Sequence, residues 1–207
     1  MKTRNKALLT MAFAVLLVVA SVLGTMAYLT STAEVENTFT VGSVTISMDE
    51  TDVDNSTDGK ERDTENKYHL LPGHEYTKDP IIHVASTSED CYLFVTVSNE
   101  IAAIEATGDT SVASQMAAKG WKAVEGKTNL YVYIGTAEDA SAPLAVKANE
   151  NITVFEKIVI SGSVDNTTLA NYKDKTITVN AYAVQKDGFE SKTASEIWNA
   201  TFGASKN

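Results

Sequence analysis

The sequence predicts an all-β chain, an antiparallel β-sandwich with a few short helices, preceded by an N-terminal signal-peptide helix. Three observations carry that reading. Beyond position 27 the apolar residues recur with a period of two. Seven or so short apolar runs are separated by polar turns, without regular alternation of strands and helices. The 180 residues after the leader suit one domain, which at that size buries about 70% of its unfolded surface without disulfides.

The leader comes first. Lys2, Arg4 and Lys6 form a cationic start, and residues 7–23 (ALLTMAFAVLLVVASVL) are almost uninterruptedly apolar. Small residues at Thr25 and Ala27 have the spacing a signal peptidase requires for a cut between Ala27 and Tyr28. A retained anchor is the alternative, since residues 7–27 could span a bilayer. No basic stop-transfer cluster follows, so removal of residues 1–27 is the expectation and residues 28–207 form the mature domain.

The segment Tyr28 to Val41 (YLTSTAEVENTFTV) is free of Gly and Pro and reads as extended. Its apolar residues Leu29, Ala33, Val35, Phe39 and Val41 share odd positions, hence one face of a strand. It is assigned as an N-terminal assembly strand; the rival reading is pairing inside its own subunit as a first strand, or a frayed tail. Val44, Ile46 and Met48 then alternate with Ser43, Thr45 and Ser47 in a half-buried strand. Residues 49–66 (DETDVDNSTDGKERDTEN) hold eight acids and one apolar residue, and read as a solvated acidic loop.

Residues 80–85 (PIIHVA) form a strand with Pro at its entrance, where a missing N–H is tolerated. Residues 92–97 (YLFVTV) are apolar on both faces, which marks a central strand covered on both sides. Residues 109–119 read as a helix with Asp109 as N-cap and Gly120 as its stop. Strands follow at 130–134 and 152–160, the latter with a bulge or exchange of faces at Val154-Phe155. The run 176–184 places Ile177, Val179, Ala181 and Ala183 on one face, and 195–202 reads as a terminal helix.

Composition narrows function. Outside the leader, 14 basic residues face 27 acidic ones, a formal charge of −13. Such a surface repels phosphate backbones, so nucleic acid is not an expected partner. The single cysteine, Cys91, can make no internal disulfide and begins the most apolar strand, so it reads as a buried thiol. A zincin needs His-Glu-x-x-His, but His74-Glu75 is followed by Tyr76-Thr77-Lys78, and His69, His74 and His83 could converge only through folding. Asp54, Ser56, Asp58 and Glu65 meet a calcium-loop template, with Gly59 at the sixth place. Glu61 and Arg62 break that template at the eighth and ninth places, so the acidic loop is read as solvated. No cofactor is called for. Trp121, Tyr131 and Tyr133 could line a sugar-binding face, although aromatics at strand spacing usually just pack.

Three blocks resemble a known family. They are Gly24-Thr25-Met26-Ala27-Tyr28-Leu29-Thr30 with Asn37-Thr38-Phe39-Thr40-Val41-Gly42, Leu71-Pro72-Gly73-His74-Glu75-Tyr76, and Cys91-Tyr92-Leu93-Phe94-Val95-Thr96-Val97. Together they resemble the TasA/camelysin family of Gram-positive exported proteins, processed by a SipW-type signal peptidase. The C-terminal half matches only in strand pattern. The resemblance implies a jelly-roll sandwich and a secreted, non-catalytic subunit of a cell-surface or biofilm-matrix fibre. Its partners would be further copies of itself, head to tail through donated N-terminal strands, together with the signal peptidase and an accessory matrix protein. The family's metal-dependent endopeptidase branch is an alternative, as is a monomeric adhesin or glycan-binding module.

Overall fold

The computed structural model describes residues 6, 10–17, 42–56, 59–137 and 141–203. The chain divides into two units, Met1–Val41 and Gly42–Asn207. In the first, residues 10–17 are helical, and the Thr10 hydroxyl donates to the Lys6 carbonyl. The cleavage pair Ala27 and Tyr28 and the assembly strand with Leu29, Ala33, Val35, Phe39 and Val41 lie outside the described residues. Among the described residues no helix is long and apolar enough to cross a membrane.

The second unit is mostly β, with every strand pairing antiparallel and a few short helices. One sheet has the order β2 (Arg62–Asp63), β1 (Ile46–Thr51), β4 (Ile81–Val84), β9 (Asn151–Thr153). A second has the order β11 (Ile177–Gln185), β5 (Cys91–Asn99), β7 (Leu130–Tyr133), β6 (Trp121–Ala123), with β8 (Ala145–Val146) also on β5. A ribbon joins β10 (Lys157–Val159) to β3 (Glu75–Thr77).

β5 organises the core because both of its faces are apolar. Cys91, Leu93, Val95 and Val97 enter one cluster with Ile82 and Val84 of β4 and with Val154 and Phe155. Tyr92 and Phe94 point the other way, into a cluster closed by Ile197 and Trp198 of α3 (Ala194–Thr201). The central-strand expectation therefore holds. Thr193 caps α3 by a reciprocal exchange with Glu196, which satisfies two otherwise orphaned N–H groups. A third cluster gathers Ile101, Ile104, Ile158 and Ile160, with Leu169 of α2 (Asn166–Ala170) packed against it.

Several sequence expectations are corrected. The run 152–160 is not one strand. Its first part pairs with β4 and its second with β3, and the chain changes sheet at Val154-Phe155, both fully buried. The face exchange seen in the pattern is thus a corner between sheets. The helix α1 (Val112–Ala118) is capped by Ser111, whose hydroxyl accepts the Ser114 N–H, and Asp109 sits in a preceding 3-10 turn. Gly120 does stop it, at φ +87°. The acidic segment is not a solvated loop throughout. Asp49 to Thr51 belong to β1, Arg62 and Asp63 return as β2, and Glu50 and Asp63 are buried. Lys78 neutralises Glu50 at 2.7 Å, and Asn66 and Ser56 donate to Asp63, which makes that burial tolerable.

Candidate functional site: an unpaired seam between β1 and β11

The edges of β1 and β11 approach within 8 Å, yet no ladder joins them. The bonds flanking each ladder fix which backbone groups are left over. At one end of β11 the Glu100 N–H donates to the Thr176 carbonyl, and at the other the Lys186 N–H donates to the Asp90 carbonyl. Even-numbered residues of β11 therefore bond to β5, because antiparallel bonding alternates residue by residue. The N–H and C=O of Ile177, Val179, Ala181 and Ala183 face outward, toward the seam.

β1 alternates in the same way. The Ala85 N–H donates to the Thr45 carbonyl, so odd residues of β1 bond to β4. Even residues turn the other way. Glu50 is met there by β2, and the Asp52 N–H donates to the Glu61 carbonyl. Among the described residues β2 reaches no further back than Glu50, so the backbone groups of Ile46 and Met48 stay open.

The side chains of the same residues are apolar and half-buried. Val44, Ile46, Met48, Ile177, Val179 and Ala181 pack against the first core cluster without being covered. A cavity of about 350 Å³ lies between Ile46–Met48 and Val179–Tyr182. It continues into a larger one of about 970 Å³ lined by Met48–Glu50 and Ile177–Val179 together with residues 64–70 and residues from α2 onward, with Ile101 and Ile158 also in its wall. Residue numbers rise along β1 as they fall along β11, so the two edges run antiparallel. The seam thus offers backbone donors and acceptors on both walls and an apolar floor, which is what an added strand needs. Neighbouring strands lie about 4.8 Å apart, so a strand inserted between two others spreads them to about 9.6 Å. The two edges come closer than that here, so admission widens the seam.

Of the calcium-loop candidates Asp54, Ser56, Asp58 and Glu65, the structure brings Asp54 and Ser56 together. Asp58 lies outside the described residues, and Glu65 is exposed on the rim of the larger cavity. The carboxylates that converge are Asp52, Asp54 and Asp63, with oxygens within 4.8 Å of one another. Ser56 is brought to them, its hydroxyl donating to Asp63 at 2.7 Å and its N–H to Asp54 at 3.0 Å. Counting from Asp52 puts Asp54 third, Ser56 fifth and Asp63 twelfth, a template two residues earlier than the one beginning at Asp54. The signal was present in Asp52-Val53-Asp54-Asn55-Ser56. The carboxylates are already engaged: Asp54 also accepts the Lys67 N–H, and Asp63 the Asn66 amide.

The three histidines take separate contacts. His83 bridges Asp49 at 3.0 Å and Asn151 at 2.8 Å, His74 turns back onto the Pro72 carbonyl, and His69 is exposed. Trp121 is buried, with its indole N–H given to the Thr153 carbonyl and its ring against Tyr133. It is a packing residue and no part of an open sugar-binding face. Burial pushes the Cys91 thiol up to about 11, helped by the charges of Asp90 and Glu150. That thiol is no nucleophile at neutral pH.

Arg62 ties the acidic segment down. Its guanidinium reaches Asp49 at 2.5 Å and Asp79 at 3.0 Å. Burial works to raise the pKa of Asp79, but the Thr51 N–H, Arg62 and the Thr51 hydroxyl outweigh it and hold the carboxyl below its ordinary value. Comparison of the chain with protein-family models, curated proteins and solved structures finds no match.

Proposed function

We propose that this protein is an exported, non-catalytic structural subunit that assembles at the cell surface or in an extracellular matrix. The second unit is a jelly-roll-like sandwich with one seam left unpaired, and residues 28–41 of a second copy fill it. The single observation that carries the reading is the β1–β11 seam, where open backbone edges and an uncovered apolar floor coincide.

The segment fits what the seam presents. Its apolar residues Leu29, Ala33, Val35, Phe39 and Val41 share one face, and that face would meet the floor while the backbone pairs with both walls. The direction of the chain favours a second copy over the same one. Ser43 and Thr45 are held by the 85–89 turn, with the Glu89 N–H on the Ser43 carbonyl and the Ala85 N–H on the Thr45 carbonyl. The chain therefore enters β1 extended, and filling its own seam would demand a reversal before Gly42. Addition from one copy to the next does not close on itself, so it grows a filament. The resemblance of the leader and the later blocks to the TasA/camelysin family supports export by a SipW-type peptidase and the same mode of growth. An accessory matrix protein would be a second partner.

The test is electron microscopy and size-exclusion chromatography of protein beginning at Tyr28, beside a form lacking residues 28–36. Filaments from the first and a folded monomer from the second are expected. Filaments from both, or from neither, overturn the reading.

A further inference from the structure

Two side chains from separate parts of the second unit meet around the Glu50 carboxylate. Lys78, in the link between β3 and β4, places Nζ 2.7 Å from Glu50 Oε2. Asn66, three residues past β2, places Nδ2 3.1 Å from Glu50 Oε1. The same carboxylate thus holds an amine on one oxygen and a carboxamide on the other. The side chains of Lys78 and Glu50 are only 12% and 6% exposed. The Tyr68 ring stands 5.9 Å from Nζ.

The carboxamide is held by both of its ends. Its Oδ1 accepts the Val53 N–H at 2.7 Å, and its Nδ2 also donates to the Thr51 carbonyl at 2.8 Å and to Asp63 at 3.2 Å. An amine, a general base touching it, and a carbonyl polarised by a backbone donor are the components of an acyl transfer. Nothing in the assembly mechanism uses them.

We propose that Lys78 and Asn66 join in the folded protein through an intramolecular isopeptide bond, with Glu50 as the catalytic proton carrier. Glu50 takes a proton from the Lys78 ammonium, and the freed Nζ attacks Asn66 Cγ. The carbonyl electron pair moves onto Oδ1, where the Val53 N–H stabilises the developing charge. Glu50 then hands its proton to Nδ2. The Cγ–Nδ2 bond breaks, ammonia leaves through the adjoining cavity, and the carbonyl re-forms. Nζ gives up its remaining extra proton through Glu50 to the departing ammonia, which ends as ammonium. Glu50 finishes as it began, and the step needs no oxidant, cofactor or water. The product ties the acidic segment covalently to the β3–β4 link, in a chain whose one cysteine cannot form an internal disulfide.

The experiment is a tryptic peptide map, with intact mass, of the purified folded chain and of Glu50→Gln. In the wild type, residues 63–67 should remain attached to the peptide that begins at Tyr68, with no cut after Lys78 and a loss of about 17 Da. Glu50→Gln should give both peptides free, cut after Lys78, at full mass. Free peptides from the wild type overturn the bond, as does the same mass loss without linkage, which is cyclisation of Asn66 onto its own backbone. A linked Glu50→Gln overturns the role of Glu50. If that variant does not fold, the wild-type map alone still decides whether the bond exists.

Discussion

Gly120 and Gly135 are packed backbone to backbone. A Cβ built on Gly120 would lie 2.5 Å from the carbonyl carbon and oxygen of Gly135, and Gly120 itself sits at φ +87°. The contact is held from the other side by the Ile134 N–H, which donates to the Gly120 carbonyl at 2.8 Å. It fixes the exit of α1 against the end of β7, and through them the buried Trp121 and Met116.

Gly120→Ala combines a left-handed backbone with a clash against main chain that cannot rotate away. The expected loss is about 2–4 kcal/mol, read from urea unfolding. Gly108 supplies the control. It has φ +83° but nothing within 4 Å of its added Cβ, so Gly108→Ala should cost only the backbone penalty, about 1 kcal/mol. Equal losses at the two sites would show that the close approach to Gly135 contributes nothing.

The Arg62 contacts predict an acid limb. Asp49 and Asp79 are both held below the ordinary aspartate value of 3.8: burial opposes this in each case, and Arg62 is among the contacts that overcome it. A depressed folded pKa adds stability above the unfolded value and gives it back as pH falls through the folded one. Arg62→Met should therefore lower stability by about 2 kcal/mol at neutral pH, with the gap to wild type constant down to about pH 5. Below about pH 4 the gap should narrow as both carboxylates protonate. A gap that widens in acid would reverse the assignment.

Cys91 is fully buried and its thiol is pushed up to about 11. Native protein at pH 7.5 should resist iodoacetamide over hours and react fully in urea, as followed by mass. Reductant should leave the melting temperature unchanged. Rapid labelling of the folded chain would mean that β5 opens far more easily than its double-sided packing implies.

How much of this was legible follows from where each partner lies in the chain. β5 could be read directly, because Tyr92 to Val97 is apolar at every position but one and only a doubly covered strand needs that. The parity of β11 was legible too: Ile177, Val179, Ala181 and Ala183 were placed on one face, and they do line the first cluster. β2 could not be read. Arg62 and Asp63 carry no apolar signal, and their place is set by Asp49, Glu50 and Asp79, which lie 13 to 17 residues away in sequence. The burial of Glu50 depends on Lys78, 28 residues on. Pairings at that distance leave no periodic trace, so the acidic run looked solvated from end to end. The seam is of the same kind, since an edge is defined by the strand that fails to pair with it.

The parity of β11 makes the seam testable by proline. The Ala181 N–H faces outward, away from β5, so Ala181→Pro deletes a donor that the folded subunit does not use. Its cost to the monomer should be about 1 kcal/mol, mostly from backbone restriction. The neighbouring Asn180 N–H points into the β5 ladder opposite Thr96, and Asn180→Pro should cost about 3 kcal/mol or more. The two variants therefore separate the subunit from the assembly. Ala181→Pro should keep its circular dichroism and its monomeric elution while losing filament growth, because an incoming strand finds one wall without its donor and the pyrrolidine ring in its path. Asn180→Pro should be destabilised before assembly is ever at issue. Mixing gives a second reading: Ala181→Pro keeps its own segment 28–41, so it can donate to a wild-type end but cannot accept. Added at low ratio to growing wild-type filaments, it should terminate them. A folded Ala181→Pro that polymerises at the wild-type rate would remove β11 from the acceptor site.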